Sequence, residues 1–227
     1  MSSADVVVIG GTSGIGLATV ERLAADGYGV HAVGEEECDV RFPRNIQSLV
    51  DDNLECDKWV YSAGVNRLSY IHEQPEDSMM DLYDVNVLGF LRLMATLDTY
   101  RDGANGTSVV AVGSDAAERP MRTSTVYCGT KAALHMSVRC LARELAPSFR
   151  VNAVAPGMTE PTQMQEYIDA AVPRIRGWSE EEAREYERSQ IPMVRRGQVE
   201  EVAEVIVSTL LGPDYLTGSI ITINGGR

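Results

Sequence analysis

The stretch DVVVIGGTSGIGLATVERLA, residues 5–24, places a short apolar run, a glycine-rich turn and an amphipathic helical pattern in immediate succession. Gly10, Gly14 and Gly16 follow the spacing G-x-x-x-G-x-G. A tight strand-to-helix turn needs backbone angles that glycine adopts easily, and a helix N-terminus offers N–H donors and a positive dipole end to a phosphate. The stretch therefore predicts a dinucleotide-binding unit at the start of the fold. A glycine-rich turn that binds nothing is the alternative interpretation.

Apolar runs of strand composition alternate with helical patterns along the rest of the chain. The predicted strands are Asp5–Gly10, Gly29–Gly34, a stub near Glu37–Val40, Lys58–Ala63, Thr107–Gly113, Arg150–Val154 and Ser219–Ile223. The predicted helices are Gly14–Asp26, Pro43–Asp52, Ser78–Tyr100, Thr125–Ala146 and Val199–Leu211. This alternation predicts an α/β fold, a doubly wound, Rossmann-like parallel sheet of about seven strands with helices on both faces. No internal repeat or linker interrupts it, so residues 1–227 are predicted to form a single domain.

One polar segment, Met158–Arg196, departs from the alternation and contains two short helical patterns, Gln163–Val172 and Ser179–Ser189. An insertion beyond the end of a strand is typical of a substrate lid. A solvated surface excursion is the alternative. Its apolar residues form either a substrate pocket or a small core of the segment itself: Met158, Met164, Tyr167, Trp178, Tyr186 and Met193.

The composition excludes several classes of function. The chain has 227 residues and a net charge of −13, which argues against binding nucleic acid or an anionic membrane surface. Four cysteines without CxxC spacing and three isolated histidines predict reduced thiols and no metal site. The first residues lack the charged and apolar regions of a signal peptide, so a cytoplasmic location is predicted.

The end of the second predicted strand bears on the choice of nucleotide. It is followed by Glu35, Glu36 and Glu37, with no arginine or lysine among them, and Ser13 in the glycine loop brings no positive charge. A carboxylate here accepts hydrogen bonds from a ribose 2′-hydroxyl and repels a 2′-phosphate. The sequence therefore favours NAD(H) over NADP(H), with Glu35 as the candidate for the ribose. The alternative is a solvated acidic turn.

Three chemically capable side chains are predicted to lie at one edge of the sheet. Ser114 ends the strand TSVVAVGS, and Tyr127 and Lys131 are four residues apart at the start of the next helix. Residues i and i+4 share one helix face, and the carboxyl ends of parallel strands are where doubly wound folds bind ligands. The three could thus converge there, although each alone is explained as readily by packing, capping or surface exposure.

Seven short motifs in order resemble the short-chain dehydrogenase/reductase family along nearly the whole chain. They are GGTSGIG at 10–16, SAG at 62–64, VNVLG at 85–89, Ser114, YCGTK at 127–131, RVNAVAPG at 150–157 and LTGSIITINGG at 216–226. The resemblance implies an NAD(P)-dependent enzyme that interconverts a secondary alcohol and a ketone, assembled as a homotetramer or homodimer.

The resemblance also implies roles for individual residues. Tyr127 is the expected general acid/base, and nearby positive charge from Lys131 and an oxidised nicotinamide is expected to lower its pKa. Lys131 would bind the nicotinamide ribose, Ser114 the reacting oxygen, and Asn86 a water in a proton relay. The implied cofactor-binding set is Gly10, Thr12, Ser13, Gly14, Ile15, Gly16, Glu35, Asp39, Val40, Ser62, Ala63, Gly64, Tyr127, Lys131, Pro156, Gly157 and Thr159, with Thr162 as the alternative to Thr159.

The chain departs from the family pattern in two places. Asp39 and Val40 follow Val33 so closely that the helix between the second and third strands is predicted to be deleted. Ser62 stands where the family commonly has asparagine. Two other functions stay open from the sequence: reduction of an enone or quinonoid substrate, and a nucleotide-binding sensor or scaffold without turnover.

Overall fold

Eight strands are present in the computed structural model, which describes residues 4–100 and 106–227. They are β1 Val6–Ile9, β2 Val30–Val33, β3 Lys58–Tyr61, β4 Thr107–Val112, β5 Phe149–Pro156, β6 Thr159–Glu160, β7 Gly197–Gln198 and β8 Ile220–Ile223. Six of them form a parallel sheet in the order β2-β1-β3-β4-β5-β8, while β6 pairs with β7. All six strands are parallel, but successive strands are added on one side of β1 first and then, from β3 onward, on the other side. Ligands of such sheets bind at this switch point, so they are expected at the carboxyl ends of β1 and β3.

Helices cover both faces of the sheet and bury a separate apolar layer on each. They are α1 Gly14–Ala25, α2 Pro43–Asp52, α3 Glu76–Tyr83, α4 Gly89–Tyr100, α5 Thr125–Glu144, α6 Gln163–Arg176, α7 Glu180–Ser189 and α8 Val199–Leu210. In β1, Val7 and Ile9 join the core beneath α2, α4 and α5, whereas Val6 and Val8 join the core beneath α1 and α8. Strands buried on both faces read as continuous apolar runs, as β1 and the last four residues of β4 do. The predicted α/β doubly wound fold is confirmed.

The predicted stub Glu37–Val40 is not a strand. Residues 34–42 form turns that lead from β2 directly to α2, and no helix lies between Val33 and Asp39 in this described segment. Arg41 bonds the Asp39 carboxylate through its backbone N–H and its guanidinium, which holds the segment as a turn. The main sheet therefore has six strands rather than seven.

The predicted helix Ser78–Tyr100 contains an irregularity at a candidate site residue. Between α3 and α4 lies a π-helical turn, Asp84–Leu88, with Asn86 at its centre. π-turns inside helices are frequently found at functional sites. Here the turn delivers the fully buried Asn86 side chain to the segment that follows β3.

The segment after β5 folds as two helices anchored at both ends. Pairing of β6 with β7 closes its base, and α6 and α7 rise from it. Arg196, whose side chain is 16% exposed, contacts the carboxylates of Glu160, Asp169 and Glu187 at 3.2, 2.6 and 2.5 Å. One guanidinium thus fastens β6, α6 and α7 together. Within the described residues, no helix combines the length and apolar character needed to cross a membrane.

Candidate active site

The glycine loop lies against the segment that follows β3. Gly10 has φ of 78°, and a Cβ there would lie 2.7 Å from the backbone nitrogen of Ala63. Ser13 caps α1 without a side-chain hydrogen bond, so the N–H groups of the first helical turn remain available to an anion. The residues present therefore fit a dinucleotide pyrophosphate. Gly16 serves packing instead, since a Cβ there would overlap the carbonyl oxygen of Gly10.

Ser114, Tyr127 and Lys131 do converge at the carboxyl end of β4. Ser114 is 9% exposed, Tyr127 6% and Lys131 3%. The Ser114 hydroxyl interacts with the Tyr127 phenol, and its oxygen also accepts a hydrogen bond from the backbone N–H of Ala116 at 3.2 Å. The phenol oxygen lies 3.8 Å from Sδ of Met164 on α6. A helix of the segment predicted to be a lid therefore lies next to the Tyr127 hydroxyl.

Lys131 places a buried ammonium next to the tyrosine. Its Nζ donates to the carbonyl oxygen of Val112 at 2.9 Å and lies 5.9 Å from the centre of the Tyr127 ring. Burial lowers the pKa of Lys131 to about 8. The ammonium therefore retains its charge at neutral pH and loses it at moderately alkaline pH.

The pKa of Tyr127 shifts opposite to the expectation. Burial raises it to about 12, with Asp115 and Cys128 adding to the rise and the Ser114 hydroxyl opposing it. Desolvation of the phenolate, and not the charge of Lys131, thus sets the direction of the shift in the protein by itself. At neutral pH Tyr127 is a phenol, a group able to donate a proton to a carbonyl oxygen.

Asn86 reaches this site from behind. Its side-chain amide donates to the carbonyl oxygen of Val65 at 2.9 Å and to Oγ1 of Thr130 at 3.0 Å, and its oxygen accepts from the N–H of Val65 at 2.9 Å. A Cβ on Gly64 would lie 3.4 Å from Asn86 Oδ1 and 3.5 Å from Lys131 Nζ. Asn86 therefore ties Val65, directly after the Ser62–Gly64 segment, to Thr130 of α5, and Gly64 leaves room between the amide and the ammonium.

His135, one turn beyond Lys131 on α5, is a neighbour of the site that sequence reasoning missed. Its Nε2 lies 3.4 Å from the backbone N–H of Ser114, which points at it, and a Cβ on Gly113 would overlap the ring. Burial, with help from Lys131 and Arg139, lowers the pKa of His135 to about 4. The ring is therefore neutral and accepts a hydrogen bond behind Ser114. The sequence signal was the i+4 spacing from Lys131.

The adenosine end contains a second missed residue, Arg41. Its guanidinium bonds Asp39 at 2.7 Å, Asp81 at 3.0 Å and Glu35 at 3.0 Å. The hydrogen bonds of Asp39 lower its pKa, so its carboxylate is committed to Arg41 as a charged partner. Val40 is buried against α4, near Gly89. Only Glu35 of this group extends into solvent, with 79% of its side chain exposed.

The turn after β5 contains residues that the family resemblance assigns to cofactor binding. A Cβ on Gly157 would lie 2.8 Å from Cβ of Asn224, so this position requires glycine. The Thr159 hydroxyl donates to the carbonyl oxygen of Gly157 at 3.1 Å. Thr162 caps α6 by accepting from the N–H of Gln165, and a Cβ on Gly14 would lie 3.3 Å from its methyl group.

One cleft of about 1750 Å³ collects these groups. Of the predicted site residues, Gly16 and Asn86 do not line it; those that do are Gly10, Thr12, Ser13, Gly14, Ile15, Glu35, Asp39, Val40, Ser62, Ala63, Gly64, Ser114, Tyr127, Lys131, Pro156, Gly157 and Thr159. A phosphate-binding loop at a sheet switch point, combined with a buried Ser-Tyr-Lys group, defines a nicotinamide-dependent oxidoreductase.

Comparison with known proteins gives the same class. A family model described as enoyl-(acyl carrier protein) reductase matches residues 6–227. An uncharacterized oxidoreductase of Methylorubrum extorquens is 31% identical, with 97% of this chain and 96% of the relative covered. The chain belongs to the short-chain dehydrogenase/reductase family.

Two further relatives show the range of this family. L-2,3-butanediol dehydrogenase of Corynebacterium glutamicum is 30% identical, with 97% of this chain and 96% of the relative covered. The crystal structure of a variant actinorhodin polyketide ketoreductase with NADPH has a TM-score of 0.86 at 25% identity, covering 99% of this chain and 97% of the other. The names of these two relatives describe alcohol and ketone chemistry, and the second was solved with NADPH.

Proposed function

We propose that this chain interconverts a secondary alcohol and a ketone, with NAD(H) preferred as cofactor. The observation that carries the proposal is the placement of Tyr127, Ser114 and Lys131 on the same cleft as the free N–H groups of α1. The nicotinamide, when bound, supplies the hydride that adds to the carbonyl carbon.

The residues of the chain would supply orientation and the proton. Ser114 donates a hydrogen bond to the carbonyl oxygen, and Tyr127 gives that oxygen its phenolic proton as the carbon–oxygen double bond becomes single. Lys131 binds the nicotinamide ribose and stabilises the phenolate left on Tyr127 by its charge. Asn86 holds Val65, the residue after the Ser62–Gly64 segment, and is proposed to keep a water near Lys131 that returns the proton.

The nicotinamide and pyrophosphate ends are assigned by the same proposal. Thr159, beside Gly157, is proposed to bind the carboxamide NH2, because its hydroxyl oxygen accepts no hydrogen bond from the described residues, whereas the Thr162 oxygen already accepts from the N–H of Gln165. Thr12, Ser13 and Ile15 present the glycine-loop backbone to the pyrophosphate. The α6–α7 segment, whose Met164 faces the phenol, is proposed as the substrate lid.

The preference for NAD(H) is supported by the charges at the adenosine end. A 2′-phosphate at this position would approach the Glu35 carboxylate, and the donors of Arg41 are taken up by three carboxylates. We expect NADH to bind at least about tenfold more tightly than NADPH, a difference of ~1.4 kcal/mol. Titration of the protein with both nucleotides measures this directly.

A pair of variants tests which carboxylate is responsible for the preference for NADH over NADPH. Glu35→Gln should narrow the difference between the nucleotides, whereas Glu36→Gln, its neighbour outside the cleft, should leave it unchanged. Tighter NADPH binding by the unaltered protein would mean that Arg41 exchanges its carboxylates for the 2′-phosphate.

The reaction class is tested with a panel of carbonyl and alcohol substrates. Vicinal diketones, 3-oxo esters and their alcohols are suitable, because the butanediol and ketoreductase relatives bear names of that chemistry. An enone belongs in the panel as the second candidate, since the matching family model carries an enoyl reductase description. Tight cofactor binding with no turnover of any substrate would favour a nucleotide-binding sensor or scaffold.

Assembly as a homotetramer or homodimer is part of the proposal. Exposed apolar side chains that suit contact with a second copy of the chain include Met80 and Tyr83 on α3 and Met136 on α5. Light scattering in solution distinguishes such an assembly from a monomer. A cytoplasmic location stays a prediction from the sequence.

A further inference from the structure

We propose that the rim of the cleft contains an oxyanion subsite formed by Arg122 and Arg176, so that the natural substrate is an elongated alcohol or ketone bearing a carboxylate or phosphate far from its reacting carbon. The inference rests on the proposed function and names its substrate class. Arg122 lies in the loop before α5, and Arg176 ends α6.

Arg122 and Arg176 belong to the cations of the cleft that have no acidic partner. Other arginines that line it are paired with carboxylates, as Arg41, Arg195 and Arg196 illustrate. Within residues 4–100 and 106–227, five lining arginines form no ion pair, and among them only Arg176 has a buried Nε without a hydrogen-bond partner: Arg67, Arg119, Arg122, Arg176 and Arg188. In a chain with a net charge of −13, two neighbouring cations without acidic partners favour an anion from outside the protein.

Aromatic rings hold the Arg176 guanidinium in a fixed orientation. It lies 4.9 Å from the centre of the Trp178 ring and 5.5 Å from that of Tyr186, and these two rings are 5.1 Å apart. Its Nε is buried without a hydrogen-bond partner among the described residues. The two rings are neighbours, so they pack against the guanidinium from one side and restrict its orientation, and the planar fork of its remaining donors suits a bidentate oxyanion.

The loop that presents Arg122 is similarly fixed. The Arg122 guanidinium donates to the Tyr70 hydroxyl at 2.9 Å and lies 5.4 Å from the centre of that ring. The next residue, Thr123, has φ of 67°, a strained value for a β-branched residue, and its carbonyl accepts from the N–H of Ser69 at 2.9 Å. Strain retained at such a position is typical of binding sites. Nη2 of Arg176 donates to the Arg122 carbonyl oxygen at 3.5 Å, which places the Arg176 guanidinium against the backbone of the loop that presents Arg122.

The position of the pair assigns the oxyanion to the substrate rather than to the nucleotide. Along α6, Thr162 at the start lies beside Gly14, and Met164 contacts the Tyr127 phenol. Arg176 is twelve residues beyond Met164, about 18 Å of helix, less any bend at Pro173. A pyrophosphate at the glycine loop is therefore far from the pair. A substrate that reaches both must be elongated.

Three variants and two ligand series test the subsite. Arg176→Gln and Arg122→Gln remove the proposed donors. Arg174→Gln is the matched control, because Arg174 is on the same helix, exposed and outside the cleft. The first ligand series consists of oxo-carboxylic acids of increasing chain length with their methyl esters. The second consists of hydroxyketone phosphate monoesters with the unesterified hydroxyketones.

The expected result is a charge preference that depends on length. At the best length the unaltered protein should show kcat/KM at least tenfold higher for the anion than for its neutral counterpart. Arg176→Gln and Arg122→Gln should abolish the preference by lowering kcat/KM for the anion alone, and Arg174→Gln should preserve it. Whether the carboxylate or the phosphate series shows the larger ratio identifies the oxyanion. Equal rates for anions and neutral compounds at every length would overturn the subsite while leaving the oxidoreductase proposal intact.

A binding measurement decides the question even if no compound turns over. Trp178 adjoins Arg176, whereas Trp59, the other of the two tryptophans, is fully buried in the core. Titration with a long-chain dicarboxylate and with inorganic phosphate should quench Trp178 fluorescence saturably in the unaltered protein and in Arg174→Gln, but not in Arg176→Gln. Absence of a saturable signal for both probes would contradict the subsite.

Discussion

Replacement of Tyr127 by phenylalanine is expected to lower kcat for ketone reduction by about 10²- to 10⁴-fold, the usual contribution of a positioned general acid. Removal of the hydroxyl leaves no proton donor at the carbonyl oxygen, because Ser114 is placed to orient that oxygen and not to protonate it. The dissociation constant for NADH should change by no more than a few-fold, since the ring that packs beside Lys131 is retained. Single-turnover kinetics with a substrate from the panel, together with NADH titration, measures both effects.

Tyr83→Phe provides the matched control for this variant. Tyr83 lies at the end of α3, and its hydroxyl would lie 3.2 Å from a Cβ on Gly129 of α5, close to Tyr127 in the fold but outside the cleft. Its removal should leave kcat within twofold or so of the unaltered value. Near-normal turnover by Tyr127→Phe would rule out the proton-transfer role.

Replacement of Lys131 by methionine is expected to damage both cofactor binding and turnover. The ammonium is the proposed donor to the nicotinamide ribose and the proposed counter-charge for the Tyr127 phenolate. Loss of a charged hydrogen-bond donor should weaken NADH binding about tenfold or more, and kcat should fall by a further ~10²-fold. Calorimetric titration and steady-state rates separate the two effects. Unchanged NADH affinity would contradict the proposed contact between Lys131 and the nicotinamide ribose.

The pH dependence of NADH binding gives the same prediction a second readout. The pKa of Lys131 is lowered to about 8, so the ammonium is present below that pH and is lost as the pH rises through it. NADH affinity of the unaltered protein should therefore fall above about pH 8, and the fall should be absent in Lys131→Met. Because burial of the ammonium costs free energy below pH 8, the methionine variant should be at least as stable to heat as the unaltered protein at pH 7. Lys58→Met, at a lysine paired with Asp57 far from the cleft, should retain the pH dependence.

Most of the fold could be predicted because local pattern and tertiary structure agree in this chain. The turn at residues 10–16 and the burial of β1 and β4 on both faces follow directly from residues that are adjacent in sequence. The segment around Asp39 is different. Its apolar and acidic residues resemble a strand. The connection from β2 to α2 is short, however, and the hydrogen bonds between Arg41 and Asp39 hold the segment as a turn.

The site was predictable in its residues and less so in its electrostatics. Residue type and order were enough to bring Ser114, Tyr127 and Lys131 together. The direction of the Tyr127 pKa shift was not predictable, because it depends on how completely α6 and Met164 exclude water from the phenol. Arg41 was visible in the sequence, but its three carboxylate partners come from two separate segments, Glu35 and Asp39 from the turns at 34–42 and Asp81 from α3. Their meeting depends on tertiary structure that spacing alone does not give.

Direct hydride transfer from the nicotinamide to the carbonyl carbon is tested by following deuterium from NADH labelled at C4. The unaltered protein is incubated with labelled NADH and a ketone that it reduces. We expect an alcohol with deuterium on the carbinol carbon, transferred from one face of the nicotinamide ring. Mass spectrometry of the alcohol and of the recovered cofactor detects it. A reduced product without deuterium from either labelled face, formed by protein that binds NADH, would contradict direct hydride transfer and with it the roles assigned to Tyr127 and Lys131.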